Sequence, residues 1–469
     1  MKKWLIFTLS ILMLLPLFAE PMSYEELVMQ LNTDNLELKK QDEVIKQAVV
    51  DVKNAKGGYH PQITAQLSGT YMTEPPIGRI TVSADDLLGQ LGLPTSGTGG
   101  YVEVFPGMEN TLYSANISLT QPIFTGGKIR NSVELFDTVL SMRNIEKSDK
   151  IALLATQMDG LLAGLYYLND VAADLETALG VAEELVELSK SGYENGVMLL
   201  TDYRMAELSL KELELKMAEI ENGKGELMDS LRKLLNDNTL TEDDFDIAPD
   251  EEGILEICNM DRDQLRLDVI SPERNSMKML GMMTEVNDLK TDIMEGSLYW
   301  KPDLALQVGL NFASTRFPFI EKGWNNSANH SISISVGMRT TLWDGGVKWN
   351  NVKKSESEAA AGYIDMDSTK TQLTMMLEEQ FRTIDYTMMQ IEYLEAKRNL
   401  LEAEKADIEN RIKLGASGKA DLLQKELEIL ENEMTTTQQK ATLMQSACTI
   451  KYMAAIETPI VKDMTVTAE

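Results

Sequence analysis

The stretch that decides the fold is Thr120-Gln121-Pro122-Ile123-Phe124-Thr125-Gly126-Gly127-Lys128, which returns in altered form as Arg339-Thr340-Thr341-Leu342-Trp343-Asp344-Gly345-Gly346-Val347. The two glycine pairs are 219 residues apart in a chain of 469. Each pair follows a segment of alternating apolar and polar residues and precedes a long helical pattern. We therefore predict that Gly126, Gly127, Gly345 and Gly346 bend the chain from a strand into a helix.

Two more landmarks return at the same offset. Gly196 and Asp202 correspond to Gly415 and Asp421, so that 69 residues separate the glycine landmarks in both halves. Chance similarity rarely preserves such spacing, and we predict one structural unit present twice. The predicted segments are a first repeat over 20–236, an acidic linking segment over 237–270, a second repeat over 271–457, a C-terminal tail over 458–469, and turns at 192–202 and 412–421.

Four segments alternate strictly between apolar and polar residues, at about 61–73, 112–123, 302–315 and 330–343. In the first, Ile63 and Leu67 face one way while Thr64 and Gln66 face the other. This period of two predicts strands with one apolar and one wet face. Transmembrane β-barrels have this pattern, and a soluble β-sandwich is the alternative.

Aromatic residues favour the membrane alternative. Tyr59, Tyr299 and Trp300 precede the first strand of each pair, and Phe124 and Trp343 end the second. In a hairpin these positions meet at one end, so we predict an aromatic belt at one membrane interface. Phe317, Phe319 and Trp324 could form the opposite belt.

The remaining segments have helical periodicity. Apolar positions advance by alternating steps of four and three, which predicts heptad seams and coiled-coil packing, as at Leu161, Leu165, Leu168, Ala172, Leu175, Leu179, Ala182 and Val186. At 1.5 Å per residue, 69 helical residues span roughly 100 Å. Four strands are too few to close a membrane barrel, and open sheet edges are not tolerated in lipid. Three chains would supply twelve strands.

Composition excludes several classes of function. The net charge of −30 argues against nucleic-acid binding, which requires a basic surface. With only two histidines and two cysteines, a zinc site or a Ser-His-Asp triad has few residues to draw on. We expect no enzyme, no metal site and no cofactor, and we favour unpaired Cys258 and Cys448 over a disulfide. The glycine pairs do not continue as phosphate-binding loops.

The chain begins Met1-Lys2-Lys3, and an apolar run from Trp4 to Phe18 follows. This pattern predicts a signal peptide over 1–19, with cleavage after Ala19. A single membrane anchor is the alternative, although the run is shorter than the ~20 residues that a helical span requires.

The duplicated motifs resemble those of the TolC family of outer-membrane efflux and secretion channels. The resemblance rests on Gln121 to Gly127, on Leu342 to Gly346, and on the two turns with Asp202 and Asp421, and it covers nearly all of the chain after the signal peptide. It implies a homotrimer, with a twelve-stranded β-barrel in the outer membrane and a long α-helical barrel in the periplasm. The acidic linking segment corresponds to the family's equatorial region.

The resemblance also implies a function and its partners. The expected function is a passive channel of a tripartite efflux or type I secretion system. Its partners would be two further copies of the chain, a periplasmic adaptor protein, an inner-membrane pump of the RND or ABC type, and outer-membrane lipid. Drugs, metal ions and polypeptides all remain possible substrates. A trimeric structural or surface-stalk protein is the alternative, although the loops are short for that role.

The turns are the predicted periplasmic tips. Asp421 matches an entrance aspartate of the family and Asp202 is its repeat equivalent, so that a three-fold axis would make a selectivity ring of each. Where the family can carry a second acidic residue, this chain has Gln424. The alternative is that both aspartates only N-cap the return helices. Gly196 and Gly415 are predicted to form the turns and to present the tip to the adaptor.

Overall fold

The computed structural model describes residues 21–74, 77–94, 97, 99–107 and 109–464. The predicted signal peptide lies outside the described residues. The chain divides into two compact units. The first unit contains the described residues up to 47, 140–283 and 362–464, and the second contains 48–139 and 284–361.

Helices contribute most of the secondary structure. The elements in chain order are α1 (Tyr24–Asp34), α2 (Leu36–Gly57), β1 (Gln62–Tyr71), β2 (Ile80–Ser83), α3 (Ala84–Gln90), β3 (Tyr101–Phe105), β4 (Thr111–Phe124), α4 (Lys128–Glu194), α5 (Leu200–Leu235), β5 (Ile247–Pro249), α6 (Glu251–Cys258), α7 (Arg262–Val269), α8 (Asn275–Glu295), β6 (Asp303–Ser314), β7 (His330–Arg339), α9 (Val347–Lys413), α10 (Lys419–Ala454) and β8 (Val461–Asp463), with 3₁₀ turns at Glu242–Asp244 and Ser327–Asn329.

The N-terminal helical segment is divided at Asn35 into α1 and α2. The Asn35 backbone N–H closes α1 on the carbonyl of Leu31, and its side-chain oxygen accepts hydrogen bonds from the backbone N–H groups of Glu37 and Leu38 at 2.8 and 3.0 Å. Its amide nitrogen donates to the carbonyl of Leu234 at 2.8 Å. The buried Asn35 therefore ends one helix, caps the next and joins both to α5.

The second unit contains a four-stranded antiparallel sheet in the order β1-β4-β6-β7. The first repeat contributes β1 and β4, and the second contributes β6 and β7. Beside the sheet, Val286 and Leu289 of α8 pack against Leu135 of α4. The segment between β1 and β4 contains α3 and the small antiparallel pair β2–β3.

The first unit is held by a large apolar core. Helices α1, α4, α5, α6, α7, α9 and α10 all contribute to it. Helix α4 contains a window that is long and apolar enough to cross a membrane by length and composition alone, and 39% of that window is buried. Met158 and Leu162 of this helix are among the most buried core residues, which accounts for its apolar composition.

The heptad seam of α4 is displaced from the predicted one. Leu165, Leu175 and Ala182 are buried as predicted. Leu179 and Val186 are only half-buried, because Ala178 and Leu185 take the inward positions. The spacing of four and three is kept, but part of the stripe is shifted, since α4 packs against both α5 and α10.

The acidic linking segment contains two short helices and a strand, and it packs on the first unit. Arg262 of α7 makes two hydrogen bonds with Asp385 of α9, at 3.0 and 2.5 Å, and Arg266 bonds Glu378 at 2.5 Å. Strand β8, within the predicted tail, pairs antiparallel with β5, and Ile460 and Val461 are buried. The described part of the tail is therefore integrated into the core.

Candidate functional site

One face of the four-stranded sheet is apolar from edge to edge. Ile63, Leu119, Val308 and Ile334 lie in register across the four strands. Ile334 is 73% exposed, although it sits in the middle of a strand. Patches of this kind are rare on proteins surrounded by water. The other members of this face include Ala65, Leu67, Ala115, Ile117, Leu306, Leu310, Phe312, Ile332, Val336 and Met338.

The opposite face is polar, and its side chains bond across the strands. Thr64 bonds Ser118 and Ser68 bonds Ser114, each at 2.7 Å between hydroxyl oxygens. The Asn116 amide nitrogen donates to Asn311 Oδ1 at 2.7 Å. The sheet therefore separates an apolar side from a hydrated side, which is the arrangement of a membrane barrel with an apolar exterior and a polar lumen.

The sheet has two open edges, at β1 and β7. Each of these strands is hydrogen-bonded to one neighbour, and every residue of both is exposed. An open edge of ten residues is a template for pairing with another chain.

Three of the predicted belt aromatics lie near one end of the sheet with hydrogen-bond or ring contacts. The Gln121 side-chain nitrogen donates to the carbonyl of Tyr59 at 2.9 Å, and the Thr340 hydroxyl donates to the carbonyl of Tyr299 at 2.8 Å. The rings of Tyr299 and Trp300 are 4.9 Å apart. Phe124 and Trp343 lie at the same end of the sheet, because Phe124 is the last residue of β4 and Trp343 follows the end of β7. Both side chains are exposed.

A second aromatic cluster lies at the other end of the sheet. The Phe317 ring is 5.1 Å from that of Tyr113, and the Trp324 ring is 4.5 Å from Phe319 and 6.0 Å from Phe312. Together with Leu67 and neighbouring strand residues they line a cavity of about 510 Å³. The predicted interface residues therefore form two separate groups, one at each end of the strands.

All four glycines of the duplicated pairs have positive φ, between +64° and +89°. The site of Gly126 is also crowded, because a Cβ there would lie 2.3 Å from the carbonyl oxygen of Gly296. A Cβ at Gly345 would meet nothing within 4 Å. Sequence reasoning missed Gly296, whose only signal was an isolated glycine just before a predicted strand.

The two predicted tip turns share the same pair of backbone hydrogen bonds. In the first, the N–H of Gly196 donates to Tyr193 and that of Val197 donates to Gly192. In the second, the N–H of Gly415 donates to Ile412 and that of Ala416 donates to Arg411. Both are Schellman turns that require a left-handed residue, and the two glycines have φ of +76° and +72°.

Asp202 and Asp421 are not N-caps, so that alternative is wrong in its simple form. Leu199 and Gly418 occupy the N-cap positions, and each aspartate is the third residue of its helix. Asp421 still supports the start of α10, since its Oδ2 accepts the Gly418 N–H at 3.0 Å. The only side-chain bond described for Asp202 is a 3.5 Å contact with the Thr201 hydroxyl. Both carboxylates are exposed.

The two lysines nearest in sequence to Asp421 are both paired with glutamates. Lys425 Nζ lies 2.8 Å from Glu404 and 2.6 Å from Glu428, and hydrogen bonds to these carboxylates raise the pKa of Lys425. Lys419 is similarly paired with Glu184. Neither lysine is therefore left as an unpaired cation beside Asp421.

The two cysteines are free and buried. Burial raises the pKa of the Cys258 thiol to about 11 and that of Cys448 to about 12. Thiols of this kind are unreactive near neutral pH, because the thiolate is the nucleophile. Within the described ranges, no three His, Cys, Asp or Glu side chains are grouped closely enough to hold a metal ion.

Comparison with known proteins gives a match in structure only. No protein-family model matches the chain, and no curated protein is similar to it in sequence. A membrane protein from Pseudomonas aeruginosa superposes with a TM-score of 0.70 at 12% identity, over 92% of this chain and 90% of that protein. The Campylobacter jejuni CmeC outer membrane channel superposes with a TM-score of 0.68 at 14% sequence identity, over 92% of this chain and 85% of that channel. The outer membrane protein VceC from Vibrio cholerae superposes with a TM-score of 0.67 at 16% sequence identity, over 92% of this chain and 96% of that protein.

The chain has the fold of the TolC-family outer-membrane channels. The resemblance predicted from the duplicated motifs is thus confirmed at the level of the fold, as is a mainly helical chain with a strand portion. The TolC-family fold accounts for the duplicated order of elements in this chain. The closed barrel, the trimer and the roles of individual residues stay predictions.

Proposed function

We propose that this chain is one protomer of a trimeric outer-membrane channel. The observation that carries the proposal is the sheet, with one face apolar and exposed, the other polar and hydrogen-bonded, and both edges open. The apolar face would contact the lipid chains, and the polar face would line a water-filled lumen. An open edge in lipid would leave backbone groups without partners, so β1 of one chain pairs with β7 of the next. Three chains close a barrel of twelve strands.

The long helices extend this barrel into the periplasm as a helical tunnel. The channel is a passive conduit, and an inner-membrane RND or ABC-type pump supplies the energy through a periplasmic adaptor protein. The signal peptide directs the chain out of the cytoplasm. The two groups of sheet aromatics lie at the two membrane interfaces, where Tyr and Trp are enriched.

The two Schellman turns form the periplasmic tip, and Gly196 and Gly415 present it to the adaptor. The exposed carboxylates of Asp202 and Asp421 each become a ring of three around the axis. Such rings give a narrow aperture a negative potential and a preference for cations. The pairing of Lys425 and Lys419 with glutamates leaves this potential in place.

Single-channel conductance in a planar bilayer tests the proposal, with wild type compared with Asp421→Ala. We expect discrete conductance steps whose cation preference falls in the variant. Conductance steps with unchanged cation preference would support the channel but contradict the charged ring, and the role of Asp421 would then be its hydrogen bond with the Gly418 N–H. Folded, trimeric protein that gives no steps would contradict the channel and favour a structural stalk.

A further inference from the structure

The loop between β6 and β7 folds back over one end of the apolar face of the sheet. The Phe317 ring lies 5.1 Å from that of Tyr113 in β4, and the Trp324 ring lies 6.0 Å from that of Phe312 in β6. Phe312 pairs with Ala115 on the apolar face, and Tyr113 precedes Ala115 by two residues, so that it faces the same way. The loop therefore adds a layer of aromatic rings to this end of the face.

These rings enclose a space that they do not fill. The cavity of about 510 Å³ that they line lies within the range of roughly 300–1,000 Å³ that is usual for small-molecule sites. Gly69 of β1 forms part of its wall, and a Cβ at this position would lie 3.3 Å from the Tyr113 ring. The missing side chain at position 69 thus leaves room in a row of otherwise apolar residues.

The outer lip of the cavity is formed by a residue with a strained backbone. Phe319 has a φ of +65°, a value that bulky residues rarely adopt, and its ring lies 4.5 Å from that of Trp324. Phe319 is 84% exposed, and the adjacent Ile320 is also largely exposed. Strained residues of this kind are concentrated at functional sites such as ligand clamps. The loop therefore presents large apolar side chains to its surroundings even though its backbone is strained there.

Hydrogen bonds within the loop hold this arrangement. The Phe317 N–H donates to the Glu321 carboxylate at 2.9 Å, and the Asn329 side-chain nitrogen donates to the carbonyl of Trp324 at 2.8 Å. Both bonds fix the backbone beside a ring that lines the cavity. A ligand would therefore meet a site that is already formed, which lowers the entropic cost of binding.

Two basic side chains flank the aromatic residues of the loop. Arg316 and Lys322 are exposed, and the Arg316 guanidinium donates to the carbonyl of Lys322 at 3.1 Å. In the part of the chain that the structure describes, neither is paired with a carboxylate. Glu321 is the single acidic residue of the segment 315–329, and its carboxylate accepts the Phe317 N–H. Arginine and lysine next to an apolar surface are typical partners of lipid phosphate.

We propose that this cavity binds one acyl chain of an anionic lipid, whose phosphate is held by Arg316 and Lys322. The apolar volume accounts for the chain, and the two cations without carboxylate partners account for the charge of the head group. The inference rests on the proposed outer-membrane channel, which it deepens by assigning a specific lipid site at the end of the sheet away from the start of α4. A trimer would carry three such sites.

Native mass spectrometry of the full-length, detergent-purified trimer tests the site. The protein is incubated with equal amounts of phosphatidylglycerol and phosphatidylcholine that have identical acyl chains, and the bound lipids are counted. Gly69→Leu places a side chain in the cavity, and Arg316→Gln/Lys322→Gln removes the two cations. The matched control is Lys353→Gln/Lys354→Gln, which removes two exposed lysines near the start of α9, at the opposite end of the sheet.

We expect wild type to retain one phosphatidylglycerol per chain, with about a tenfold preference over phosphatidylcholine, the value of one charge-assisted hydrogen bond. The Gly69→Leu trimer should lose the bound lipid. Arg316→Gln/Lys322→Gln should keep a lipid but bind both kinds equally, and the control should behave as wild type does.

Three results would overturn the site. They are a wild type without preference between the two lipids, a Gly69→Leu trimer that retains as much lipid as wild type, and a control that loses the preference to the same degree as Arg316→Gln/Lys322→Gln. Each of these would leave the channel in place, because the protein would still be a trimer. A wild-type monomer that binds neither lipid would contradict the proposed function as well.

Discussion

Lys451 Nζ lies 3.1 Å from Asp159 Oδ2, and Asp159 is only 1% exposed. The Tyr24 hydroxyl donates to the other carboxylate oxygen at 2.6 Å. Burial raises the pKa of Asp159, while Lys451 and Tyr24 act in the opposite direction. This polar group lies inside the apolar core and joins α1, α4 and α10.

Removing either partner of this pair should destabilise the protein strongly. Asp159→Asn would leave Lys451 without its counter-ion, and Lys451→Met would leave a buried carboxylate unpaired. Breaking a buried pair in this way costs about 3–5 kcal/mol. The double variant should lose less than the sum of the two, because neither charge is then stranded. Thermal unfolding followed by circular dichroism provides the measurement.

The more exposed pair Lys462–Asp250, at 2.9 Å, is the matched control for the buried pair. Lys462→Met should change the unfolding midpoint little, because solvent screens exposed pairs. Equal shifts for Lys451→Met and Lys462→Met would contradict the role assigned to burial.

Two glycines of equivalent position in the repeats should differ in their tolerance of alanine. Gly345→Ala should cost about 1–2 kcal/mol, the usual penalty of a left-handed L-residue. Gly126→Ala should cost clearly more, because its Cβ would also clash with the Gly296 carbonyl at 2.3 Å. The yields of folded protein and the unfolding midpoints of both variants give the comparison. Equal losses of stability in Gly345→Ala and Gly126→Ala would contradict a role for the close contact between position 126 and the Gly296 carbonyl.

The contact between α7 and α9 should weaken in acid. Arg262 lowers the pKa of Asp385, and Arg266 lowers that of Glu378, each chiefly by a hydrogen bond. A carboxyl group with a lowered folded-state pKa adds stability above its unfolded pKa, and this is lost as the pH falls through the folded value. Faster amide exchange over 262–269 is therefore expected below pH ~4, after correction for the intrinsic rate. The double variant Arg262→Gln/Arg266→Gln should show the faster exchange already at neutral pH. If exchange in this variant still accelerates in acid as much as in wild type, these two ion pairs are not the cause.

Asparagine at position 421 should separate the two roles of Asp421. Asp421→Asn keeps an oxygen for the Gly418 N–H but removes the charge, while Asp421→Ala removes both. Loss of a bond at a helix start costs about 0.5–2 kcal/mol. We expect both variants to lose cation preference in bilayer recordings and only the alanine variant to lose stability. Full cation preference in Asp421→Asn would contradict the charged ring.

Much of the fold follows from period and repeat in the sequence. The strands lie where side chains alternate, because a sheet with two different faces imposes a period of two. The Gly-Gly landmarks have positive φ and stand between strand and helix, a conformation that glycine adopts most easily.

Other features could not be predicted because they depend on contacts distant in sequence. Asn35 divides a helix partly through its bond to the carbonyl of Leu234, about 200 residues away. The seam of α4 is partly shifted because α5 and α10 both pack on it, and one helix pattern does not specify two partners. The sequence pattern does not single out Asp159, since only the fold brings Tyr24 and Lys451 to it.

The most direct test of the central claim uses two neighbouring residues of β7 that face opposite ways. Ile334 lies on the apolar face, and Ser335 lies opposite Gln307 on the polar one. A lysine facing lipid near the bilayer centre costs about 2–4 kcal/mol, whereas one facing the lumen is hydrated. We predict that Ser335→Lys inserts into planar bilayers as well as wild type and conducts with reduced cation preference, while Ile334→Lys inserts poorly. Normal insertion of Ile334→Lys together with loss of insertion by Ser335→Lys would contradict a membrane channel with this face in lipid.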